Sequence, residues 1–394
     1  MAETDAAAVS PAPAFTHQQI LKVITGILLC ILLAAIDQTV VVPAVPAIAA
    51  ELQGFGHLSW IVSAYLLTST AATPLYGKLS DIYGRRALLL PALALFALAS
   101  VLCGLAQSLA QLILFRALQG IGGAGLMAMA QAAIADVVSP RERGRYQGYM
   151  ASVWGIASIA GPVLGGYVTD HLSWRWIFWI NLPLALIAMF LCNRALKLLK
   201  AGGARTRIDY VGAALLTGGV TSWLVLLSSG GRDIPWTSLS AFALALGGCG
   251  LIAGLGVYER RVQDPLLPPR LFANGVVVRG VVIGFFASLA MFSATFMLPL
   301  LFQLVRGADA SRSGLLVVPF LGSVVVGAYV AGRLARRSGR VKPILLAGLG
   351  GCFFGFLLLS TAGATPWRGF IVWTLMSISV TSSKFTLIWF VTGL

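Results

Sequence analysis

Apolar residues run along this chain in long blocks, separated by short polar stretches. A helix needs roughly 20 such residues to cross a bilayer. Twelve blocks of about that length are predicted, near 23–45, 59–77, 87–107, 111–135, 146–168, 175–196, 210–229, 239–258, 277–302, 313–333, 343–362 and 369–392. Most connections are short, so consecutive helices are expected as antiparallel hairpins. The longest cytoplasmic connection, near 195–209, is basic and contains Gly202-Gly203, which suits a linker between helical bundles. The pattern predicts an all-α membrane protein with a tail over 1–22 and a six-helix bundle over 23–198. A basic linker and two inserted junction helices follow over 199–275, then an incomplete four-helix bundle over 276–394. The junction helices carry no deep charge, as expected of scaffold.

Composition agrees with a membrane solvent. Hydrophobic residues make up 58% of the chain and charged residues 10%, against about 25% charged in soluble domains. The net charge of +15 raises the question of nucleic acid. Its distribution answers it. With the N-terminus cytoplasmic, 21 of the 28 Lys and Arg fall on the cytoplasmic side, five fall outside, and two (Arg116, Lys384) fall within spans. That asymmetry is the positive-inside rule, so the basic charge reports topology and nucleic-acid binding is excluded. Glu3 and Asp5 without a basic leader argue against a cleaved signal peptide, and the first span is expected as a retained anchor. The five cysteines lie in apolar spans without metal-ligand spacing. No nucleophile–base pair or phosphate-binding loop is evident, so neither an enzyme, a metal nor a cofactor is expected.

The polar residues that interrupt the apolar blocks carry the candidate chemistry. Gly77-Lys78-Leu79-Ser80-Asp81-Ile82-Tyr83-Gly84-Arg85-Arg86 is expected as a glycine-bounded loop between the second and third spans, with Asp81 able to pair with Arg85. Gly332–Arg340 echoes it in glycine spacing and topology, but Arg336 stands where Asp81 does. Only the first copy can make an acid–base contact, which suits a cytoplasmic gate. Asp37 is the one carboxylate deep within a predicted span. Burial favours the protonated form of an acid, so Asp37 is a candidate proton carrier; a structural hydrogen bond between helices is the alternative. Arg116 is the deep base, about five residues into the fourth span, and both are expected in the outer half of the bilayer. A charge relation between them is expected, with Arg116 snorkelling to the interface as the alternative. Gly161-Pro162-Val163-Leu164-Gly165-Gly166 interrupts the fifth span as a hinge or a close helix interface. Gln38, Gln119 and Trp154 are candidates along a substrate pathway.

Together these residues resemble the major facilitator superfamily, and more narrowly its 14-helix drug:proton antiporters of the EmrB/QacA branch. The Gly77–Arg86 segment, with Gly77, Asp81, Gly84, Arg85 and Arg86 in register, is similar to the superfamily loop between helices 2 and 3; Ile82 replaces its usual first base. The Asp37 segment resembles the first-helix motif, with Pro43 at its Asn position and Pro46 retained. Arg116 with Gln119, Gly120, Gly122 and Gly123 resembles the fourth-helix motif, whose arginine is implicated in proton transfer. Gly161, Pro162, Gly165 and Gly166 resemble the antiporter motif, with Ala157 at its first glycine. Trp174–Pro183 is similar to the start of helix 6 in this branch. The resemblance fades after about Trp367, and twelve spans stand where fourteen are expected, so a C-terminal truncation is expected.

The resemblance implies a two-bundle transporter that exports hydrophobic, often cationic, compounds in exchange for protons across a bacterial inner membrane. Its partners would be those substrates, protons and the lipid bilayer, with a periplasmic adaptor protein an open alternative. Two other functions stay open: a non-transporting remnant of such an exporter, and a narrow-specificity metabolite or antibiotic exporter.

Overall fold

A computed structural model of the chain describes residues 16–53, 55–138, 143–198, 209–231, 233–262, 273–338 and most of 343–353. Eleven helices order the described part: α1 His17–Glu51, α2 Leu58–Tyr83, α3 Arg85–Leu105, α4 Leu109–Val137, α5 Arg143–His171 and α6 Trp176–Trp179. They continue with α7 Asn181–Ala195, α8 Tyr210–Ser229, α9 Leu239–Tyr258, α10 Gly275–Arg306 and α11 Ala310–Ser338. Among the described residues, extended pairing is limited to one bridge between Gly230 and Ile234. Seven stretches are long and apolar enough to cross a membrane, α6 and α7 together forming one of them. The helices α2, α5 and α11 match them in length, at 26, 29 and 29 residues, but carry more polar side chains. The predicted span at 369–392, most of that at 343–362 and the basic linker at 199–208 lie outside the described residues.

Local signals account for several boundaries. Thr16 and Gln19 form a reciprocal capping box that starts α1. Asp209 and Ser238 accept from the backbone of Gly212 and Ala241 to start α8 and α9. Those two helices coincide with the expected spans. Other boundaries moved. Gly77 does not open a loop: α2 continues through Lys78–Tyr83, and Gly84 alone, at φ 91°, turns the chain into α3. The charged residues after Gly77 simply prolong a helix past its apolar block. Pro162 likewise sits inside a continuous α5, and Pro43 and Pro46 inside α1. Because α1 extends to Glu51, Asp37 lies fourteen residues before its end.

The core is concentrated in α1 to α7. One apolar cluster joins Ile27, Ile31, Phe96, Met129 and Ala188, and a second joins Val41, Ile48, Leu112, Ile177 and Phe178. A smaller cluster of Leu298, Val317, Phe320 and Leu321 links α10 and α11, with Ile159 of α5 against it. The helices α8 and α9 pack on each other, and α8 lies along α2. Their outward faces expose Leu227, Phe242, Leu246 and Val257, as lipid-facing surfaces do.

Candidate functional site

Asp37 and Arg116 meet in the interior. Arg116 Nη1 stands 2.7 Å from Asp37 Oδ2, and the two side chains are 1% and 0% exposed. Snorkelling of Arg116 to the interface is thereby ruled out. Two side-chain amides donate to Asp37 as well. Gln119 Nε2 donates to Asp37 Oδ1 at 2.8 Å and Asn181 Nδ2 donates to the same oxygen at 2.7 Å. Gln119 also accepts from Arg116 Nη1 at 2.7 Å and donates to Ser100 Oγ at 2.6 Å. Arg116 Nε donates to the Ile61 carbonyl at 3.2 Å. The guanidinium lies 4.6 Å from the centre of the Tyr65 ring and 5.7 Å from that of Phe178, an attraction between cation and ring face. Six helices therefore contribute: α1, α2, α3, α4, α6 and α7.

The glycines of α4 make this possible. A Cβ on Gly123 would collide with the Tyr65 hydroxyl, and one on Gly120 with Thr68 and the Tyr65 backbone. Their absence lets α2 approach until Thr68 Oγ1 donates to the Ala117 carbonyl at 2.7 Å. Gln119, expected along a substrate pathway, is fully enclosed in the charge network. Gln38 is half-buried beside it and reaches the Tyr65 side chain. Trp154 is half-buried on α5, against both core clusters.

A second charged cluster closes the other end of α2. Arg85 pairs with Asp81 at 2.6 Å and with Asp136, at the end of α4, at 2.9 Å. It also donates to Ser80 Oγ. Arg86 donates to Asn193 Oδ1 of α7 at 2.6 and 3.1 Å. The Asp81–Arg85 contact matches expectation. Asp136 and Asn193 were not anticipated, because each lies more than fifty residues from its partner.

The motif on α5 forms a seam. Cβ atoms on Gly161 and Gly165 would strike Thr39 and the Val40 carbonyl of α1. One on Gly166 would strike the Ala310 carbonyl of α11, and one on Gly314 the Pro162 carbonyl. Asp170 Oδ2 accepts from the backbone N and Oγ of Ser311 at 2.7 and 2.5 Å. Gln303 of α10 donates to the Pro43 carbonyl at 3.2 Å and to Ser313 Oγ at 2.9 Å. Four helices are thus sealed at one end.

A profile of the Major Facilitator Superfamily matches residues 27–392. The chain belongs to that superfamily. Members of that superfamily are membrane transporters rather than enzymes, and the chain shares their multi-pass helical architecture. It is 39% identical over 341 residues to the multidrug transporter protein MdtP of Bacillus subtilis, covering 86% of this chain and 62% of that protein. It is 34% identical over 343 residues to multidrug resistance protein 3 of the same organism, covering 86% and 66%. The efflux pump FUS6 of Gibberella fujikuroi is 35% identical over 359 residues, covering 89% and 63%. The chain thus spans roughly half to two thirds of the length of the curated relatives it matches. Among solved structures, the xylose transporter XylE from E. coli in a partially occluded, inward-open conformation aligns with a TM-score of 0.65 at 15% identity, covering 95% of this chain and 86% of that one. The human organic anion transporter MFSD10 aligns at 0.59 and 18% identity, covering 95% and 94%. These two show the superfamily fold.

Proposed function

We propose that the protein is a proton-coupled exporter of hydrophobic, often cationic, compounds in the 14-helix drug:proton antiporter branch. It would work in a bacterial inner membrane with its N-terminus cytoplasmic and its two helical bundles rocking about a central pathway. The relatives named as multidrug transporters support the substrate class. The observation that carries the coupling is the dry Asp37–Arg116 pair.

A buried ion pair is stable only while both charges are present; leaving one alone costs about 3–5 kcal/mol. A proton on Asp37 would leave Arg116 as a buried cation facing the Ile61 carbonyl, Gln119 and the Tyr65 ring. The closed arrangement then becomes the less stable one. The consequence travels along one helix: Asp37, Thr39, Val40 and Pro43 are all on α1, and the last three form the α1 side of the seam. Loosening Asp37 from α4 and α7 therefore bears on contacts that hold α5, α10 and α11. The Arg85 cluster would latch the opposite, cytoplasmic end of the N-terminal bundle.

Ethidium efflux driven by an imposed proton gradient tests this in vesicles carrying the whole protein. Asp37→Asn should abolish efflux while the protein stays in the membrane. Normal gradient-driven efflux in that variant would sink the proposal. A non-transporting remnant would instead show no efflux with Asp37 intact.

A further inference from the structure

Asn181 opens α7 directly after the break that separates it from α6. It is fully buried, yet its Oδ1 has no hydrogen-bond partner. A buried acceptor left without a donor costs roughly 1–3 kcal/mol, so some second use for that oxygen is expected. Asp37 supplies one. As arranged, Asp37 accepts from Arg116 Nη1 on Oδ2, and from Gln119 Nε2 and Asn181 Nδ2 on Oδ1. All three neighbours are donors, an arrangement that suits only a carboxylate. A protonated Asp37 carries an O–H that needs an acceptor, and these three atoms offer none.

Two of the neighbours are amides, whose ends exchange by rotation. Gln119 is not free to turn: its Oε1 accepts from Arg116 at 2.7 Å and from Cys103 at 3.7 Å. Asn181 is free, because turning it breaks no bond to its oxygen. Its Nδ2 holds only Asp37 and a long 3.4 Å contact to Ser100 Oγ. Turned over, Oδ1 would face both the Asp37 hydroxyl and the Ser100 hydroxyl, each able to donate. On the proposal above that Asp37 carries the proton, we infer that Asn181 is the positioning residue whose amide rotates to receive that proton's hydrogen bond. The groups facing this site are Arg116 and Gln119 from α4, Tyr65 from α2, Ser100 and Cys103 from α3, and Asn181 itself.

The chain contains three asparagines, Asn181, Asn193 and Asn274, so side-chain labelling gives a readable signal. The full protein, labelled with amide-15N asparagine, would be reconstituted in phosphatidylethanolamine–phosphatidylglycerol bilayers. Infrared difference spectra between acidic and alkaline buffer would then be recorded. The expected result is a carboxylic C=O band that Asp37→Asn removes, and an isotope-sensitive side-chain amide band that titrates in step with it. Asn181→Leu should remove the amide band and move the carboxylic band to higher frequency. A rigid donor would give the opposite sign: its amide C=O would rise on acidification as the bond from Nδ2 to the carboxylate weakens, whereas the C=O of a turned amide falls as it accepts the new hydrogen bond. An amide C=O that rises on acidification, or that does not change, would therefore overturn the inference and leave the coupling proposal standing. Absence of any Asp37 band would overturn both.

Discussion

Among the described residues, two arginine–aspartate clusters share the same chemistry and differ in their surroundings. The Arg116–Asp37 pair is dry, at 1% and 0% exposure. The Arg85 cluster is wet: Arg85 is 16% exposed, Asp81 49% and Asp136 39%. Water sets what each can do. In the dry cluster one proton changes the stability of the whole arrangement, because no solvent can replace a lost partner. In the wet cluster solvent replaces partners readily, and exposed pairs contribute little. The first is suited to transduction, the second to a latch that opens and closes at small cost.

The sharpest way to break that contrast is Arg116→Leu, which strands Asp37 in the interior. Stability should fall by about 3–5 kcal/mol, read as thermal unfolding in detergent. The double variant Asp37→Asn/Arg116→Leu should recover much of the loss without recovering gradient-driven efflux. A smaller effect is expected for Gly123→Val, whose side chain would displace the Tyr65 ring from Arg116; overpacking of this kind costs about 1–3 kcal/mol. Arg85→Ala should change stability by ~1 kcal/mol or less while reducing transport. If it proved as destabilising as Arg116→Leu, the dry–wet distinction would be wrong. The smallest effect is that of salt. At about 1 M the screening length is roughly 3 Å, so efflux in the unsubstituted protein should drift toward the Arg85→Ala value. Thermal stability of the Arg116 cluster should hardly respond.

The two clusters also differ in how visible they were beforehand. Asp37 and Arg116 stood out because charge is rare and costly within an apolar block. Gln119 was marked as a candidate and Asn181 lay within the Trp174–Pro183 segment, but neither was expected as a partner of the pair. Ser100 and Asn181 are neutral, and neutral polar residues inside helices seldom demand explanation. Asn181 bonds a residue 144 positions away, a distance that no local pattern spans. At the wet cluster Asp81 and Arg85 were legible, being four residues apart on one helical face or turn. Asp136 was hidden because nothing in its own segment marks it as their partner. The same logic governs the fold. Hydropathy placed α8 and α9 because capping residues flank their apolar blocks. It misplaced the end of α2 because Lys78–Tyr83 keep helical geometry after hydrophobicity stops.

Pro43 and Pro46 sit above Asp37 on α1. Each lacks the N–H that would close onto the carbonyl four residues earlier, those of Thr39 and Val42. The backbone ladder of α1 is therefore thinned over the segment that touches both the charge network and the seam. Mechanically, α1 is a shaft with a compliant coupling toward its C-terminal end. Torque applied at Asp37 would be absorbed or passed on within two turns, and stiffening that coupling by replacing both prolines with alanine should slow the exchange between outward and inward forms without altering either endpoint.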